Sequence, residues 1–152
     1  MLATRHAVTI EDIEYLRHGD RGLKMRLFKP KGAGTFASVI DLHGGAWNNN
    51  DLNECQARAE ILASHGLVVA ALDFRHAGDG YPTSLVDINY ATRLMKARAK
   101  EFQTAPDLVG VMGSSSGGHL GMLAAMRPTD ARYGALPLPA GNPTSTRTGL
   151  VG

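Results

Sequence analysis

The stretch Leu108-Val109-Gly110-Val111-Met112-Gly113-Ser114-Ser115-Ser116-Gly117-Gly118 decides the fold of this 152-residue chain. It begins with an apolar run, turns through a Gly-rich segment and continues as a helical pattern from about Gly118 to Met126, before Pro128. A strand, a sharp turn and a helix in this order are the context in which a Gly-x-Ser-x-Gly motif presents a nucleophilic serine. Only Ser115 has a glycine two positions before it and another two positions after it, so the motif selects Ser115.

The small residues around Ser115 have a physical purpose. A nucleophilic serine lies in a strained turn, where side chains at Gly113 and Gly117 would collide with the backbone. The following helix directs its N-terminal N–H groups at the same point, which favours negative charge there. On its own, the motif also fits a Gly/Ser loop that only caps a helix. A phosphate-binding loop is disfavoured, because Ser115 stands where a dinucleotide motif needs glycine and no Gly-Lys-Ser/Thr sequence follows.

Further apolar runs predict a sheet around this strand. Val39 to Leu42 and Leu67 to Leu72 are unbroken, which is typical of strands buried on both faces. Val8 to Tyr15 and the alternating run Leu23 to Leu27 predict an opening hairpin that turns across Gly19 to Gly22. Two helical patterns separate the strands that follow. The alternation predicts an α/β protein with a mostly parallel sheet, helices on both faces, and ligand sites beyond the carboxyl ends of the strands.

The boundaries of these two helices come from capping signals. The first helix begins near Asn50 or Asp51, either of which can act as its N-cap. The second helix begins after Pro82, where Ser84 and Asp87 have the spacing of a capping box. We therefore expect the Asp87 carboxylate to accept a hydrogen bond from the first turn of its own helix.

A second motif, His43-Gly44-Gly45-Ala46-Trp47, directly follows the predicted strand that ends at Leu42. Together with Asp73-Phe74-Arg75 and the motif at Ser115, it resembles the α/β-hydrolase superfamily, near the hormone-sensitive-lipase-like esterases and the kynurenine-formamidase-like hydrolases. The resemblance runs in order from about Val8 to Pro139. It implies an α/β-hydrolase fold with an N-terminal antiparallel hairpin, of which the C-terminal strands are missing. The lipase-like esterases usually have HGGG where this chain has HGGA, which favours the formamidase-like group.

The resemblance also implies an oxyanion hole. In it, the N–H groups of Gly44, Gly45 and Ser116 surround a tetrahedral acyl intermediate formed on Ser115. Glycines let the backbone direct several amides at one point, and each preorganised donor contributes roughly 3 to 4 kcal/mol to transition-state stabilisation. We expect a bulky residue at Gly45 to lower kcat with little change in stability, since this loop directs amides rather than packs.

Two further residues of the motif have supporting roles. His43 is expected to hold the loop by hydrogen bonding rather than to act as a general base. Trp47 is expected to line the acyl pocket, with burial in the core as the alternative. Neither a cofactor nor a metal ion is expected.

The residues that would activate Ser115 are not apparent. In this fold the nucleophile is followed by an acid and then by a histidine. After Ser115 the sequence contains one histidine, His119, and one acidic residue, Asp130. His119 lies on the helix that begins at the motif, and we interpret it as structural, while Asp130 follows that helix without a strand to present it. His76 is the least implausible of the earlier histidines. The sequence therefore predicts an incomplete triad.

Composition narrows the partners and the compartment. The formal net charge is +2 and the basic residues are scattered, so no nucleic-acid partner is expected. The longest apolar run is too short for a membrane span and no signal-peptide pattern opens the chain, so we expect a cytoplasmic protein. Cys55, the single cysteine, falls on the apolar stripe of a predicted helix and is expected to be buried.

Two functional hypotheses follow. The first is a carboxylesterase-type serine hydrolase that acts on small-molecule esters, or alternatively on an aryl formamide, through an acyl-enzyme at Ser115. The second is a truncated, non-catalytic fragment or subunit. Residues 1–139 are predicted to form the N-terminal part of a hydrolase domain, and residues 140–152 an unstructured tail. The outer edge of the strand Leu108 to Met112 is predicted to be open, which favours self-association.

Overall fold

The computed structural model describes residues 5–140 and contains five strands. They are β1 (Val8–His18), β2 (Arg21–Pro30), β3 (Phe36–Leu42), β4 (Leu67–Leu72) and β5 (Thr104–Gly113). The strands form one sheet in the order β1-β2-β4-β3-β5. β1 and β2 are antiparallel, β2 and β4 are antiparallel, and β3 lies parallel to both β4 and β5. The predicted hairpin and parallel centre are confirmed.

Four helices and two 3₁₀ turns, Leu52–Cys55 and Ala77–Asp79, join the strands in the described residues. The turn Leu52–Cys55 leads directly into α1 (Gln56–Ser64), and Asp51 caps the turn by accepting a hydrogen bond from Asn53 N. The other helices are α2 (Thr83–Ala97), α3 (Ala99–Phe102) and α4 (Ser116–Met126). The structure begins α4 two residues earlier than predicted, so that the helix starts immediately after Ser115.

The two faces of the sheet bury separate hydrophobic clusters. Val68, Ala70 and Leu72 of β4 face one cluster, and the alternate residues Val69 and Ala71 face the other. The first cluster includes apolar residues of α2, α3 and α4. The second cluster is covered by α1 and the 3₁₀ turn Leu52–Cys55. Helices therefore cover both faces, as predicted, and Cys55 is fully buried in the second cluster.

The predicted capping box at the start of α2 is wrong. The N-cap position is Pro82, and no side chain caps this helix. Ser84 Oγ donates instead to the Arg75 carbonyl, and Asp87 is fully buried, where it accepts hydrogen bonds from Arg75 and from His18 Nε2. A buried carboxylate needs such partners, and this requirement outweighs a local cap.

Several sequence-based expectations concern the surface and the ends of the chain. Within residues 5–140, no helix is long and apolar enough to cross a membrane. The same part of the chain has no group of three or more His, Cys, Asp or Glu side chains that could hold a metal ion. β5 pairs with β3 and with no other described strand, so its outer edge is open. Apart from Ala140, the predicted tail lies outside the described residues.

Candidate active site

Ser115 lies at the junction of β5 and α4 with φ +51° and ψ −121°. A non-glycine residue in this region costs about 1–3 kcal/mol and persists only where surrounding structure enforces it. Here the enforcement is close packing. A Cβ atom at Gly117 would lie 2.3 Å from the Leu42 carbonyl oxygen, and one at Gly113 would lie 2.5 Å from the Gly117 carbonyl carbon. The turn around Ser115, called the elbow below (residues 113–118), therefore excludes side chains at both flanking glycines.

The second motif contacts the elbow, although about seventy positions separate them in sequence. β3 and β5 are parallel neighbours, and Leu42 is paired with Gly113. A Cβ atom at Gly44 would lie 3.3 Å from Ser115 Cβ and 3.2 Å from the Ser114 carbonyl oxygen. The segment 43–50, called the oxyanion loop below, is therefore in van der Waals contact with the elbow at Gly44.

The oxyanion loop has an unusual backbone. Ala46 and Trp47 have φ values of +50° and +64°, and Gly45 has φ +121°. The amides of Asn48 and Asn49 both donate to the Gly45 carbonyl, at 3.1 and 2.9 Å. A Cβ atom at Gly45 would lie 2.2 Å from the Asn49 carbonyl oxygen. The expectation that a bulky residue at Gly45 leaves stability unchanged is therefore wrong, because the turn itself has no room for a side chain.

Glu54, in the 3₁₀ turn before α1, is a site residue that the sequence analysis missed. One carboxylate oxygen accepts a hydrogen bond from Ser114 Oγ at 2.8 Å, and the other accepts the Gly44 N–H. Burial alone would raise the pKa of Glu54, but these two hydrogen bonds and the nearby Arg58 outweigh it and hold the pKa below its usual value. In the sequence, Glu54 has the appearance of an ordinary surface acid at a helix start.

The amides predicted to form the oxyanion hole differ in their availability. The Gly44 N–H is already donated to Glu54, so a direct role for it would require that bond to be shared or broken. The N–H groups of Gly45 and Ser116 have no hydrogen-bond partner in the described part of the chain, nor has that of Ala46. Ser116 is the first residue of α4, where an N–H has no acceptor within its own helix.

His43, the first residue of the oxyanion loop, has a buried ring. Its Nδ1 donates to the Gly44 carbonyl at 2.7 Å, and the ring stacks on Phe74 with centroids 4.5 Å apart. His43 Nε2 is buried and has no partner among the described residues. His76 contacts the same two rings edge-on, at centroid distances of 5.8 Å from His43 and 6.2 Å from Phe74.

No described residue activates Ser115 through a hydrogen bond to its hydroxyl. His119 is four residues along α4, and its Nδ1 accepts a hydrogen bond from Trp47 Nε1 at 3.2 Å. In the neutral ring the proton is then on Nε2, so neither ring nitrogen is free to act as a base. Asp130 forms an ion pair with Arg132, whose hydrogen bonds lower the Asp130 pKa to about 2. The structure does not bring these residues together as a triad.

An apolar cleft opens beside the elbow. It offers about 170 Å³ to a bound molecule, is open to solvent, and is lined mainly by aromatic and aliphatic side chains. Trp47 of the oxyanion loop and His119 of α4 are part of its lining, together with Tyr81, Leu85 and Leu123. Trp47 is 45% exposed, so it borders this cleft and does not belong to the core.

A family comparison agrees with this architecture. The BD-FAE family model matches residues 25–137, which is more than half of the chain. The match includes both the oxyanion loop and the elbow.

Individual relatives and structures are similar to parts of the same region. LipM of Mycobacterium tuberculosis, named a probable carboxylic ester hydrolase, is 32% identical over 102 residues, which cover 66% of this chain and 24% of LipM. Esterase LipC of the same organism is 32% identical over 109 residues, covering 70% of this chain and 27% of LipC. The chain therefore spans about a quarter of the length of these relatives.

Solved esterases share the fold. A bacterial heroin esterase superposes with a TM-score of 0.73 at 24% identity, covering 85% of this chain and 41% of that enzyme. Thermogutta terrifontis esterase 2, solved after phosphoramylation by tabun, gives 0.77 at 22% identity, covering 93% of this chain and 53% of that esterase. About half of each solved fold corresponds to this chain.

Proposed function

Since the chain belongs to the BD-FAE family, within the esterases of the α/β-hydrolase superfamily, we propose that Ser115 is the nucleophile of a carboxylic ester hydrolase. The observation that carries the proposal is the strained backbone of Ser115 at an elbow in contact with the oxyanion loop. Strain of this kind is retained where it presents a reacting group.

The proposed reaction is acyl transfer in two steps. Ser115 Oγ attacks the ester carbonyl carbon as its proton passes to a base, and the carbonyl oxygen becomes an oxyanion. The N–H groups of Gly45 and Ser116 donate to that oxyanion, and Gly44 joins them if its bond to Glu54 is shared. Collapse of the intermediate releases the alcohol and leaves an acyl-enzyme, which water then hydrolyses.

The apolar cleft is the proposed binding site for the acyl or alcohol group. Its aromatic and aliphatic lining supplies apolar contact area, and Trp47 reaches from the oxyanion loop into the cleft. An aryl formamide is the second candidate substrate. It is favoured by the sequence HGGA at positions 43–46, because the lipase-like esterases usually have HGGG there. Both substrates would use the same nucleophile and the same acyl-transfer step.

We further propose that the base and its acid come from outside the 152 residues. The argument rests on the surroundings of Ser115, because no histidine of residues 5–140 hydrogen-bonds to its hydroxyl. Without a base, the oxyanion hole and binding leave roughly 10³ to 10⁴-fold catalysis over water. The 152-residue chain alone is then a non-catalytic unit, and the open edge of β5 provides a surface for self-association.

The test of the nucleophile is covalent labelling. In a version of the protein that also supplies the base and its acid, a fluorophosphonate should modify Ser115, which peptide mass mapping identifies, and Ser115→Ala should abolish the label. Ser114→Ala and Ser116→Ala are matched controls from the same turn and should retain it. A label on Ser114 or Ser116 with Ser115 unmodified would refute the assignment. Size-exclusion chromatography with light scattering of the 152-residue chain measures self-association, and a strictly monomeric chain would refute that part of the proposal.

A further inference from the structure

Glu54 joins the two loops of the candidate site although it belongs to neither. Its carboxylate accepts one hydrogen bond from Ser114 Oγ, at 2.8 Å, and another from the Gly44 N–H. Ser114 immediately precedes the proposed nucleophile, and Gly44 is the point where the oxyanion loop contacts Ser115. A single side chain thus bridges the two segments whose separation decides where an oxyanion can lie.

A buried ion pair fixes the position of Glu54. Asp41 of β3 is fully buried, and Arg58 of α1 donates to both of its oxygens at 2.8 Å. Arg58 Nη1 also lies 3.6 Å from Glu54 Oε1. Because the guanidinium is held by the buried carboxylate, Glu54 has a fixed cation beside it. The Glu54 side chain is itself only 34% exposed.

We propose that Glu54 is a positioning residue, which sets the distance and orientation between the oxyanion loop and Ser115. The inference rests on the proposed function of Ser115. The bond from Gly44 N fixes the peptide unit that precedes the candidate donor Gly45, and the bond from Ser114 Oγ fixes the residue before the nucleophile. Bonds to an ionised acceptor are about twice as strong as neutral ones, which suits a bridge of only two contacts.

The first test does not depend on activity. In the wild-type chain, the ¹H and ¹⁵N shifts of the Gly44 amide should titrate with a midpoint below 4.5, the ordinary pKa of glutamate. The charged and titratable groups beside Glu54 are Arg58, His43 and the Cys55 thiol, and Asp41 is the ion-pair partner of Arg58. Glu54→Gln should remove this titration, whereas Glu60→Gln, which neutralises an exposed carboxylate of α1, should leave it intact. A Gly44 amide that does not titrate in the wild type would overturn the inference.

The second test measures the labelling rate of Ser115 by a fluorophosphonate, in the version of the protein that also supplies the base and its acid. Glu54→Ala should lower the rate about tenfold, as expected from the loss of charge-assisted hydrogen bonds. Glu54→Gln should fall between wild type and Glu54→Ala, because an amide oxygen can accept from only one of the two donors at its normal geometry. Glu60→Gln should match the wild type.

The outcomes separate this inference from the proposed function. A faster rate in Glu54→Ala would show that the carboxylate competes with the reacting group for the Gly44 N–H, and would overturn the positioning role. If the wild-type protein supplied with the base and its acid is not labelled at all, the proposed nucleophile fails, and the Gly44 titration still decides whether Glu54 bridges the two loops.

Discussion

The elbow and the oxyanion loop occupy equivalent places in the sheet but are stabilised in different ways. Each follows the carboxyl end of a parallel strand, the elbow after β5 and the loop after β3. The elbow is enforced by backbone packing, since side chains at Gly113 and Gly117 would collide with the main chain. The loop is held partly by its own side chains, because His43 donates to the Gly44 carbonyl and Asn48 accepts from the Gly78 N–H, and partly by Glu54 from a separate turn. The elbow therefore depends on its glycine spacing and on main-chain packing, whereas the loop also depends on partners from separate segments, Glu54 and Gly78.

The largest effect should come from filling the elbow. Gly117→Ala places a Cβ 2.3 Å from the Leu42 carbonyl oxygen, and this backbone cannot move without disrupting the end of β3. We expect a loss of about 3 kcal/mol or more in the free energy of unfolding. Urea denaturation measures it.

Gly121→Ala is the matched control in the same helix. Its added Cβ would lie 3.3 Å from Val111 Cγ2, a side-chain atom that can shift, and alanine gains about 1 kcal/mol in helix propensity. The variant should therefore stay within about 1 kcal/mol of wild type. Equal destabilisation of both variants would mean that the elbow is no more tightly constrained than the rest of α4.

A smaller effect should distinguish the two glycines of the oxyanion loop. Gly45→Ala combines φ +121° with a 2.2 Å approach to the Asn49 carbonyl oxygen, so we expect a loss of about 2 kcal/mol. Gly44→Ala adds a Cβ at 3.2 Å or more from the elbow and should cost less than about 1 kcal/mol. Thermal and urea unfolding of the two variants test this order. A more stable Gly45→Ala would show that the loop adjusts freely.

These contrasts explain how much of the site the sequence could predict. The elbow was predictable because its glycine spacing is local and its strand and helix follow in order. The position of His43-Gly44-Gly45 at the end of β3 was predictable for the same reason. Glu54 was not, because its role depends on which turn packs beneath the loop, and a surface acid at a helix start has the same sequence appearance.

The fold was also predictable where the signal is local and unpredictable where it depends on long-range contacts. Apolar runs predicted the order and type of the strands, and two helical patterns predicted the helices between them. The capping box at Ser84 and Asp87 failed because a long-range ion pair with Arg75 recruited the carboxylate. Local sequence patterns predict helices and strands well. The hydrogen-bond partners of polar side chains, in contrast, are decided by tertiary contacts that a single sequence does not show.

The smallest expected effect concerns the contact that links the loop to the helix of the elbow. Trp47 Nε1 donates to His119 Nδ1 at 3.2 Å, and the rings meet edge-on with centroids 5.7 Å apart. Trp47→Phe keeps an aromatic ring and removes the donor. Because Trp47 is 45% exposed, water can replace the lost bond, and we expect less than about 1 kcal/mol of destabilisation.

The ring of His119 should nevertheless report the change. In the neutral form of the wild-type ring, the hydrogen bond from the indole N–H to Nδ1 places the ring proton on Nε2. Two-bond ¹H–¹⁵N spectra should therefore show an unprotonated Nδ1 in the wild type and a mixture of tautomers in Trp47→Phe. His65→Gln, which alters an exposed histidine beyond α1, is the control and should leave the His119 signals unchanged. Identical His119 signals in wild type and Trp47→Phe would mean that the loop and α4 are not coupled through this bond. The close approach of the loop to the elbow at Gly44, and the bridge through Glu54, would then hold the two segments together without this bond.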